Sequence, residues 1–270
     1  MPSETALAKL ARLERMLRRL GSACLAYSGG VDSTFLAAVA AEALGPRFLA
    51  VTAASETYPE RERREARSLA HRLGFRHRVI RTGELARRAF SANPPDRCYH
   101  CKRELFGKLR KLARRQGLAH LLDGQNADDR ADYRPGAAAA AELGVLSPLQ
   151  AAGLTKREIR ELSRARGLPT WAKPAQACLA SRIPYGQAIT AERLRRVAAA
   201  EEFLRSLGLG QLRVRDHGRL ARIEVPAADV AGLARPAVRA RIVRRLKRLG
   251  YAWVALDLQG YRTGAMNEVL

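Results

Sequence analysis

Apolar side chains recur every three or four positions near the start of the chain, at Leu7, Leu10, Leu13, Met16, Leu17 and Leu20. This spacing places them on one face of a helix, so we predict a helix over residues 5–20 that ends at Gly21. A short apolar segment at 24–27 follows, then a glycine-containing segment at 28–34, and then apolar residues at helical spacing again. The pattern predicts a strand, a loop and a helix in that order.

Strand and helix patterns continue to alternate over the next hundred residues. Short apolar segments bounded by turn residues predict further strands at 48–53, 76–81, 121–124 and 145–149. A charged helix pattern at 60–73 lies between two of them. Helices of this length join parallel strands by right-handed crossovers and cover both faces of the sheet. We therefore predict an α/β fold with an open parallel sheet, whose ligand site lies beyond the carboxyl ends of its strands.

The rhythm changes after the Pro184-Tyr185-Gly186 segment. The later patterns predict a helix at 190–206, strands at 211–215 and 219–225, a helix at 236–249 and a strand at 252–256. The order α-β-β-α-β is typical of a compact α+β unit. We predict a larger first domain over residues 1–186 and a smaller α+β domain for substrate binding and oligomerisation over residues 187–270.

Composition narrows the classes of function. The 270 residues carry 49 Lys+Arg against 26 Asp+Glu, a net charge of +23, and 47% are hydrophobic, which is ample for a core. The cations are mostly arginines spread over every predicted helix, which favours solvated helix faces over a nucleic-acid surface. No apolar run approaches the roughly 18 residues of a membrane span. We expect neither a membrane nor a nucleic acid as partner.

The four cysteines indicate intracellular thiol chemistry. They are too few and too clustered for a secreted disulfide framework, so we expect a reducing cytoplasm. Cys98 and Cys101 make only half of a tetrahedral metal site, and a third ligand has to come from elsewhere. Cys178 is the candidate, although a small buried apolar residue is the alternative for it. Cys24, in an apolar strand, is expected to be such a core cysteine.

The loop after the first strand, with the sequence SGGVDST at 28–34, has the composition of a phosphate site. Backbone N–H groups at a helix N-terminus bind anions, and glycine lets the backbone approach phosphate closely. The flexible positions are Gly29 and Gly30, the hydroxyl donors are Ser28, Ser33 and Thr34, and Asp32 orients the loop or holds Mg²⁺. No Gly-Lys-Ser/Thr follows, which excludes a Walker A loop. A glycine turn with a capping residue is the alternative.

The SGGVDST loop resembles the signature of the PP-loop pyrophosphatase superfamily. The resemblance implies ATP with Mg²⁺ as cofactor, and a reaction that adenylates a substrate and releases pyrophosphate. It also implies that Thr52, Ala53 and Ser55, at the end of the second strand, contact adenine. The acidic segment at 123–129, with Gly124 and Asp128, is the expected rim of the ATP site, and a solvated loop is the alternative.

Three further motifs together with this loop resemble the LarE family over nearly the whole chain. They are RCYHCK at 97–102, WAKPAQACLASRIPYG at 171–186 and LQGYRTGAMN at 258–267. LarE proteins are ATP-dependent sulfur transferases. They convert the carboxylates of pyridinium-3,5-biscarboxylic acid mononucleotide to thiocarboxylates during synthesis of the nickel-pincer nucleotide cofactor of lactate racemase. The resemblance implies that Cys178 and Asp32 are catalytic.

The expected substrate ligands lie on both sides of the predicted start of the second domain. They are Ser181, Arg182, Arg213, Arg215 and one of Glu201 and Glu202, all assigned by the resemblance. Because side chains alternate along a strand, Arg213 and Arg215 lie on one face, where the pair suits a phosphate. Exposed strand charges are the alternative for these two arginines.

The source of sulfur divides the family. In its single-cysteine form, the residue that matches Cys178 gives up its own sulfur and becomes dehydroalanine. This sequence also has Cys98 and Cys101, and three cysteines resemble the branch that binds a [4Fe–4S] cluster with one open iron for sulfide. The resemblance therefore implies a cluster held by Cys98, Cys101 and Cys178. It also implies a homo-oligomer such as a hexamer, a sulfide donor and a downstream nickel-insertion protein.

Two other functions fit parts of the sequence. A PP-loop enzyme that thiolates tRNA would share adenylation and the cysteines and would use the positive charge. The low aromatic content, 6%, and the lack of a recognisable RNA-binding module count against it. A nucleotide-binding sensor without sulfur chemistry would leave both cysteine motifs unexplained.

Overall fold

The computed structural model describes residues 2–131, 135–174, 177–262 and 264–268, without the side chains of residues 130, 131 and 267. The chain divides into two compact units: Met1–Glu84 with Asp96–Gln176, and Leu85–Pro95 with Ala177–Leu270. The first contains a five-stranded sheet and the second a three-stranded sheet. The predicted domain limits, 1–186 and 187–270, stay a prediction.

The first unit alternates strands and helices, as expected. Its strands are β1 (Ala23–Ala26), β2 (Phe48–Ala54), β3 (His77–Arg81), β4 (His120–Leu122) and β5 (Val145–Leu146). Its helices are α1 (Glu4–Leu20), α2 (Val31–Leu44), α3 (Glu60–Arg72), α5 (Arg97–Arg115), α6 (Pro135–Glu142), α7 (Pro148–Ala152) and α8 (Lys156–Ala165). The short helix α4 (Arg88–Ser91) belongs to the second unit.

The five strands are all parallel, in the order β3-β2-β1-β4-β5. The chain runs outward from β1 to β3 and then returns to the other side of β1 to form β4. Such a change of direction opens a crevice at the carboxyl ends of β1 and β4. The predicted fold class, an open parallel α/β sheet with helices around it and a small second sheet, is confirmed.

Two apolar clusters stabilise this sheet. One includes Leu13 and Leu17 of α1 and Phe35 and Leu36 of α2, all fully buried. The other joins Cys24 to side chains of β2, β4, α5 and α6. Cys24 is fully buried, as predicted, and burial raises the pKa of its thiol to about 12, so it stays protonated.

The second unit is a small mixed sheet covered by helices. Its elements after α4 are α9 (Ala191–Arg205), β6 (Arg213–His217), β7 (Leu220–Glu224), α10 (Ala227–Ala234), α11 (Pro236–Arg248) and β8 (Trp253–Leu256). Strands β6 and β7 are antiparallel, and β7 and β8 are parallel. Val214 and Ile223 point into the apolar core with Leu246 of α11. Strand alternation therefore places Arg213 and Arg215 on the opposite face.

Two sequence predictions need correction. The strand predicted over 145–149 ends at Leu146, because Pro148 occupies the first turn of α7 and cannot donate to a strand ladder. The pattern also missed α10, whose eight residues carry no long apolar repeat. Within the described residues, no helix combines the length and the apolar character needed to cross a membrane.

Candidate functional site

A cavity of about 520 Å³ opens at the carboxyl ends of β1 and β4. Six predicted nucleotide ligands line it: Ser28, Gly30, Asp32, Ser33, Gly124 and Asp128. Asp123 and Asp129, from the segment expected at the rim of the ATP site, also line it. Sequence reasoning missed others: Tyr58, Glu62, Lys102, Lys156 and Pro174. A volume of this size, with polar groups converging on it, is typical of a small-molecule site.

The phosphate loop is fixed by its own hydroxyl groups. Ser28 Oγ lies 3.0 Å from Ser33 Oγ, and the Ser28 amide donates to Ser33 Oγ at 3.3 Å. Gly30 is the N-cap residue of α2 and has no side chain that could accept a hydrogen bond. The first N–H groups of this helix therefore have no side-chain acceptor at the capping position. Thr34 is fully buried and lies 3.4 Å from the Tyr27 hydroxyl, behind the loop. The loop presents backbone donors, as an anion site requires.

Both the backbone conformation at position 29 and the close approach of Ala66 require glycine there. Its φ is +68°, a region that residues with a Cβ rarely adopt. A Cβ built on Gly29 would lie 2.9 Å from Ala66 Cβ and 3.0 Å from Ala66 Cα in α3. Helix α3 therefore packs directly against the phosphate loop.

We expect the Gly29→Ala substitution to displace this loop and weaken ATP binding. The strain and the collision with Ala66 together are worth about 2 kcal/mol, or roughly thirtyfold in affinity. Isothermal titration with MgATP measures the change. Gly21→Ala is the control, because Gly21 also has positive φ but meets no atom within 4 Å. Equal loss of ATP affinity in both variants would contradict the prediction.

Asp32 is available to a cation. One carboxylate oxygen, Oδ2, pairs with the Lys156 ammonium, while the buried Oδ1 makes no hydrogen bond with any residue that the structure describes. Across the described ranges, no group of three or more His, Cys, Asp or Glu side chains is arranged to hold a metal ion. Mg²⁺ typically binds one or two carboxylates and takes its remaining ligands from phosphates and water. The residues therefore fit Mg²⁺ that arrives with ATP.

The acidic segment after β4 is internally ordered and lines the cavity. Asn126 Oδ1 accepts from the Asp128 amide at 2.9 Å, and Asp129 Oδ2 accepts from the Asn126 amide at 2.9 Å. Asp128 Oδ2 accepts from the Lys156 amide at 2.8 Å, which ties the segment to the start of α8. A Cβ on Gly124 would lie 3.3 Å from the Ser33 amide nitrogen. This close approach brings the segment against the phosphate loop.

The predicted adenine contacts lie outside the cavity lining. Thr52 is buried, and its hydroxyl donates to Tyr27 O at 2.9 Å and lies 2.8 Å from His77 Nε2. Ser55 Oγ donates to the buried Glu84 carboxylate at 2.6 Å. Ala53 is half-buried. Their role toward adenine stays a prediction.

Three of the residues that sequence reasoning missed, Glu62, Lys102 and Lys156, come from helices. Glu62 lines the cavity from the first turn of α3, and Tyr58 lines it from the segment just before this helix. Lys102 reaches it from α5, one turn after Cys98. Lys102 had one signal in the sequence. It follows Cys98 by four positions within the RCYHCK motif, so the two side chains share a helix face.

Cys98 and Cys101 lie in the first turn of α5, as the loop-to-helix prediction required. Cys98 is exposed and Cys101 is half-buried, whereas Cys178 belongs to the second unit and is half-buried. Two thiols three positions apart on a helix share one face. The predicted ligands of a [4Fe–4S] cluster are therefore divided between the two units, and the cluster stays a prediction.

A buried ion pair orders the backbone around Cys178. Arg182 and Glu201 are each 1% exposed, with Arg182 Nε 2.8 Å from Glu201 Oε1. Arg182 Nη1 donates to Cys178 O at 3.1 Å, and Ser181 Oγ donates to the same oxygen at 2.8 Å. The predicted ligands Ser181, Arg182 and Glu201 thus form one network, while Glu202 is exposed on α9.

Arg213 and Arg215 are buried, so the alternative of exposed strand charges is wrong. Arg215 makes two hydrogen bonds to Glu224, at 2.8 and 2.6 Å, and donates to Ser181 O at 2.8 Å. Burial, followed by the charge of Arg182, lowers the pKa of Arg213 to about 10. A cluster of buried guanidinium groups is suited to an anion.

Comparison with known proteins agrees with this geometry. The asparagine synthase family profile matches residues 13–130, which contain the parallel sheet up to β4. The pyridinium-3,5-bisthiocarboxylic acid mononucleotide synthase of Lactiplantibacillus plantarum is 38% identical over 97% of this chain and 95% of its own length. The chain belongs to the LarE family. As a family member with a PP-loop domain, it is an ATP-using enzyme.

Two more relatives extend this LarE comparison. A Synechocystis protein named only as uncharacterised is 44% identical over 97% of this chain and 98% of its own length. A Methanocaldococcus jannaschii protein, likewise named uncharacterised, is 29% identical over 88% of this chain and 90% of its own length. The similarity covers both units in each case.

Proposed function

We propose that this LarE family member adenylates the carboxylates of pyridinium-3,5-biscarboxylic acid mononucleotide and converts them to thiocarboxylates. The product would serve synthesis of the nickel-pincer nucleotide cofactor of lactate racemase. The observation that carries the proposal is the cavity of the first unit, where the loop at 28–34 and Asp32 converge in a family member similar to a named synthase.

The first step activates a carboxylate. A substrate carboxylate oxygen bonds to the α-phosphorus of ATP, the bond from that phosphorus to the bridging oxygen of pyrophosphate breaks, and pyrophosphate leaves. The N–H groups at the start of α2 would stabilise the negative charge on the phosphates. Asp32 would hold Mg²⁺, which neutralises charge on the departing pyrophosphate.

The second step exchanges oxygen for sulfur. A sulfur nucleophile attacks the acyl carbon, and AMP leaves with the carboxylate oxygen. When Cys178 is the nucleophile, its Sγ bonds to the acyl carbon, a base removes the Cα proton and the Cβ–Sγ bond breaks. The thiocarboxylate leaves with the sulfur and dehydroalanine remains. In the second unit, Arg213 and Arg215 with the Arg182–Glu201 pair would hold the substrate phosphate.

The predicted [4Fe–4S] cluster on Cys98, Cys101 and Cys178 is the finer part of the proposal. Its support is the number and spacing of the cysteines, and no chemical step is assigned to it. A reducing cytoplasm belongs to the same proposal because all three thiols must stay reduced. The homo-oligomer, the sulfide donor and the nickel-insertion partner stay predictions.

Substrate-dependent formation of AMP and pyrophosphate tests the function. We expect purified protein with MgATP and the pyridinium mononucleotide to release both products and to form a thiocarboxylate detectable by mass spectrometry. Unfractionated tRNA is the comparison substrate. Thiolation of tRNA without reaction of the mononucleotide would favour the tRNA enzyme, and ATP binding without either reaction would favour a sensor.

A further inference from the structure

Two side chains hold the carbonyl groups of the phosphate loop from outside. The Tyr58 hydroxyl donates to Ser28 O, and the Lys173 ammonium donates to Gly29 O at 3.3 Å. We propose that Tyr58 and Lys173 are positioning residues that orient two consecutive peptide planes toward the phosphates of ATP. The inference rests on the proposed function, to which it adds two residues outside the loop motif.

The geometry of the peptide unit carries this inference. In a trans peptide the C=O and the next N–H point in opposite directions. Holding Ser28 O therefore fixes the direction of the Gly29 N–H, and holding Gly29 O fixes that of the Gly30 N–H. Glycine offers little resistance to rotation of its peptide planes. The Gly30 N–H also donates to Ser28 Oγ at 3.3 Å within the loop. The two external hydrogen bonds add to this internal contact and preorganise the peptide planes for an anion.

Lys173 is itself firmly placed. Its ammonium contacts Glu62 Oε2 at 2.6 Å and Glu65 Oε2 at 3.0 Å, besides Gly29 O. An ammonium has three N–H donors, and these three acceptors match them. Its side chain is 14% exposed. Burial would raise the pKa of Glu65, but hydrogen bonds from Arg61 and Lys173 outweigh it and lower the pKa, which keeps this acceptor ionised.

All of these groups belong to the first unit, and they link three parts of it. Glu62 and Glu65 are on α3, Gly29 is in the phosphate loop, and Lys173 is in the WAKPAQACLASRIPYG motif immediately before Pro174, which lines the cavity. Lys173 thus fastens the first residues of this motif, 171–174, to the loop. A lysine that only formed ion pairs with the two glutamates of α3 would not also have to donate to the Gly29 carbonyl.

The test compares ligands that do and do not use the loop. Pyrophosphate, MgATP and adenosine are titrated calorimetrically into Lys173→Met and Tyr58→Phe proteins. We expect each variant to raise the dissociation constants of pyrophosphate and ATP about tenfold and to leave that of adenosine unchanged. Lys173→Arg, which keeps charge and donors, is expected to restore much of the loss.

Lys9→Met is the matched control. Lys9 also forms a partly buried pair, 2.7 Å from Glu158, but touches no loop carbonyl. Equal losses for adenosine and pyrophosphate, or unchanged pyrophosphate affinity in both Lys173→Met and Tyr58→Phe, would overturn the inference. Wild-type protein that binds pyrophosphate but forms no thiocarboxylate would contradict the proposed function alone, and absence of pyrophosphate binding by wild type would overturn both.

Discussion

The Cys178→Ala protein is expected to release a burst of pyrophosphate from MgATP and the pyridinium substrate, yet to form no thiocarboxylate. Alanine removes the sulfur that attacks the acyl carbon or the thiolate that would hold a cluster, whereas the phosphate loop of the first unit is unchanged. Loss of a nucleophile lowers the rate of its step by at least about a thousandfold. Rapid-quench measurement of pyrophosphate together with mass spectrometry of the product separates the two steps.

Cys24→Ala is the control for this variant. Cys24 is the fully buried cysteine of β1, and its replacement is expected to preserve thiocarboxylate formation. Loss of the pyrophosphate burst in Cys178→Ala would contradict the separation of adenylation from sulfur transfer. Wild-type rates of thiocarboxylate formation in that variant would contradict any role for this cysteine in the reaction.

The wild-type and Cys178→Ala proteins together report the source of sulfur. Iron and acid-labile sulfide are measured after anaerobic reconstitution, and the mass of the wild-type chain is measured after turnover. A cluster that depends on Cys178, with repeated turnover, supports sulfide transfer. Loss of the mass of H₂S from a chain without iron supports sacrifice of Cys178 and leaves Cys98 and Cys101 for redox chemistry.

Glu201→Gln is expected to destabilise the second unit by about 3 kcal/mol, because it leaves the Arg182 guanidinium buried beside a neutral side chain. Glu201 also accepts hydrogen bonds from the Val214 amide at 3.1 Å and from Arg205 at 3.0 Å, so the substitution affects three elements at once. Urea unfolding followed by circular dichroism measures the change.

Glu202→Gln is the matched control, since it makes the same chemical change one position later on an exposed part of α9, where effects stay within about 0.5 kcal/mol. The Arg182→Met/Glu201→Gln double variant should recover part of the loss because both charges are removed. Equal stability of Glu201→Gln and Glu202→Gln would contradict the argument.

The pH dependence provides a second readout for Glu201. Burial would raise the pKa of its carboxyl group, but the charge and hydrogen bonds of Arg182 outweigh burial and lower the pKa. The stabilisation from this pair is therefore complete above the unfolded pKa and is lost as the pH falls through the lower folded value. The wild type should lose this stabilisation in acid, whereas Glu201→Gln should show a flatter profile.

Sequence reasoning succeeded where a pattern is local. All five strands of the parallel sheet were expected. The clearest signals were those of β1 and β2, which are short apolar segments next to turns. The phosphate loop was found from its glycines, hydroxyl groups and Asp32 between a predicted strand and a predicted helix, and from its resemblance to the PP-loop signature. Strand β5 was predicted too long, since apolar Leu149 continues the pattern although Pro148 has already started α7.

Other site residues depend on packing that no local pattern encodes. Glu62 and Lys156 line the cavity from the first turns of α3 and α8, and Tyr58 lines it from the segment just before α3. The choice between Glu201 and Glu202 had a usable signal. Glu201 falls between Val197 and Leu204 on the buried face of α9, at intervals of four and three residues.

The segment at 85–95 has a consequence for synthesis of the protein. It belongs to the second unit, where the Asn93 side chain donates to Ile183 O at 3.1 Å and Ile189 N donates to Ser91 O at 2.8 Å. During translation this segment leaves the ribosome long before those partners exist. The nascent chain must therefore keep an early segment unpaired while the sheet around it forms, so completion of the second unit waits for the last third of the chain.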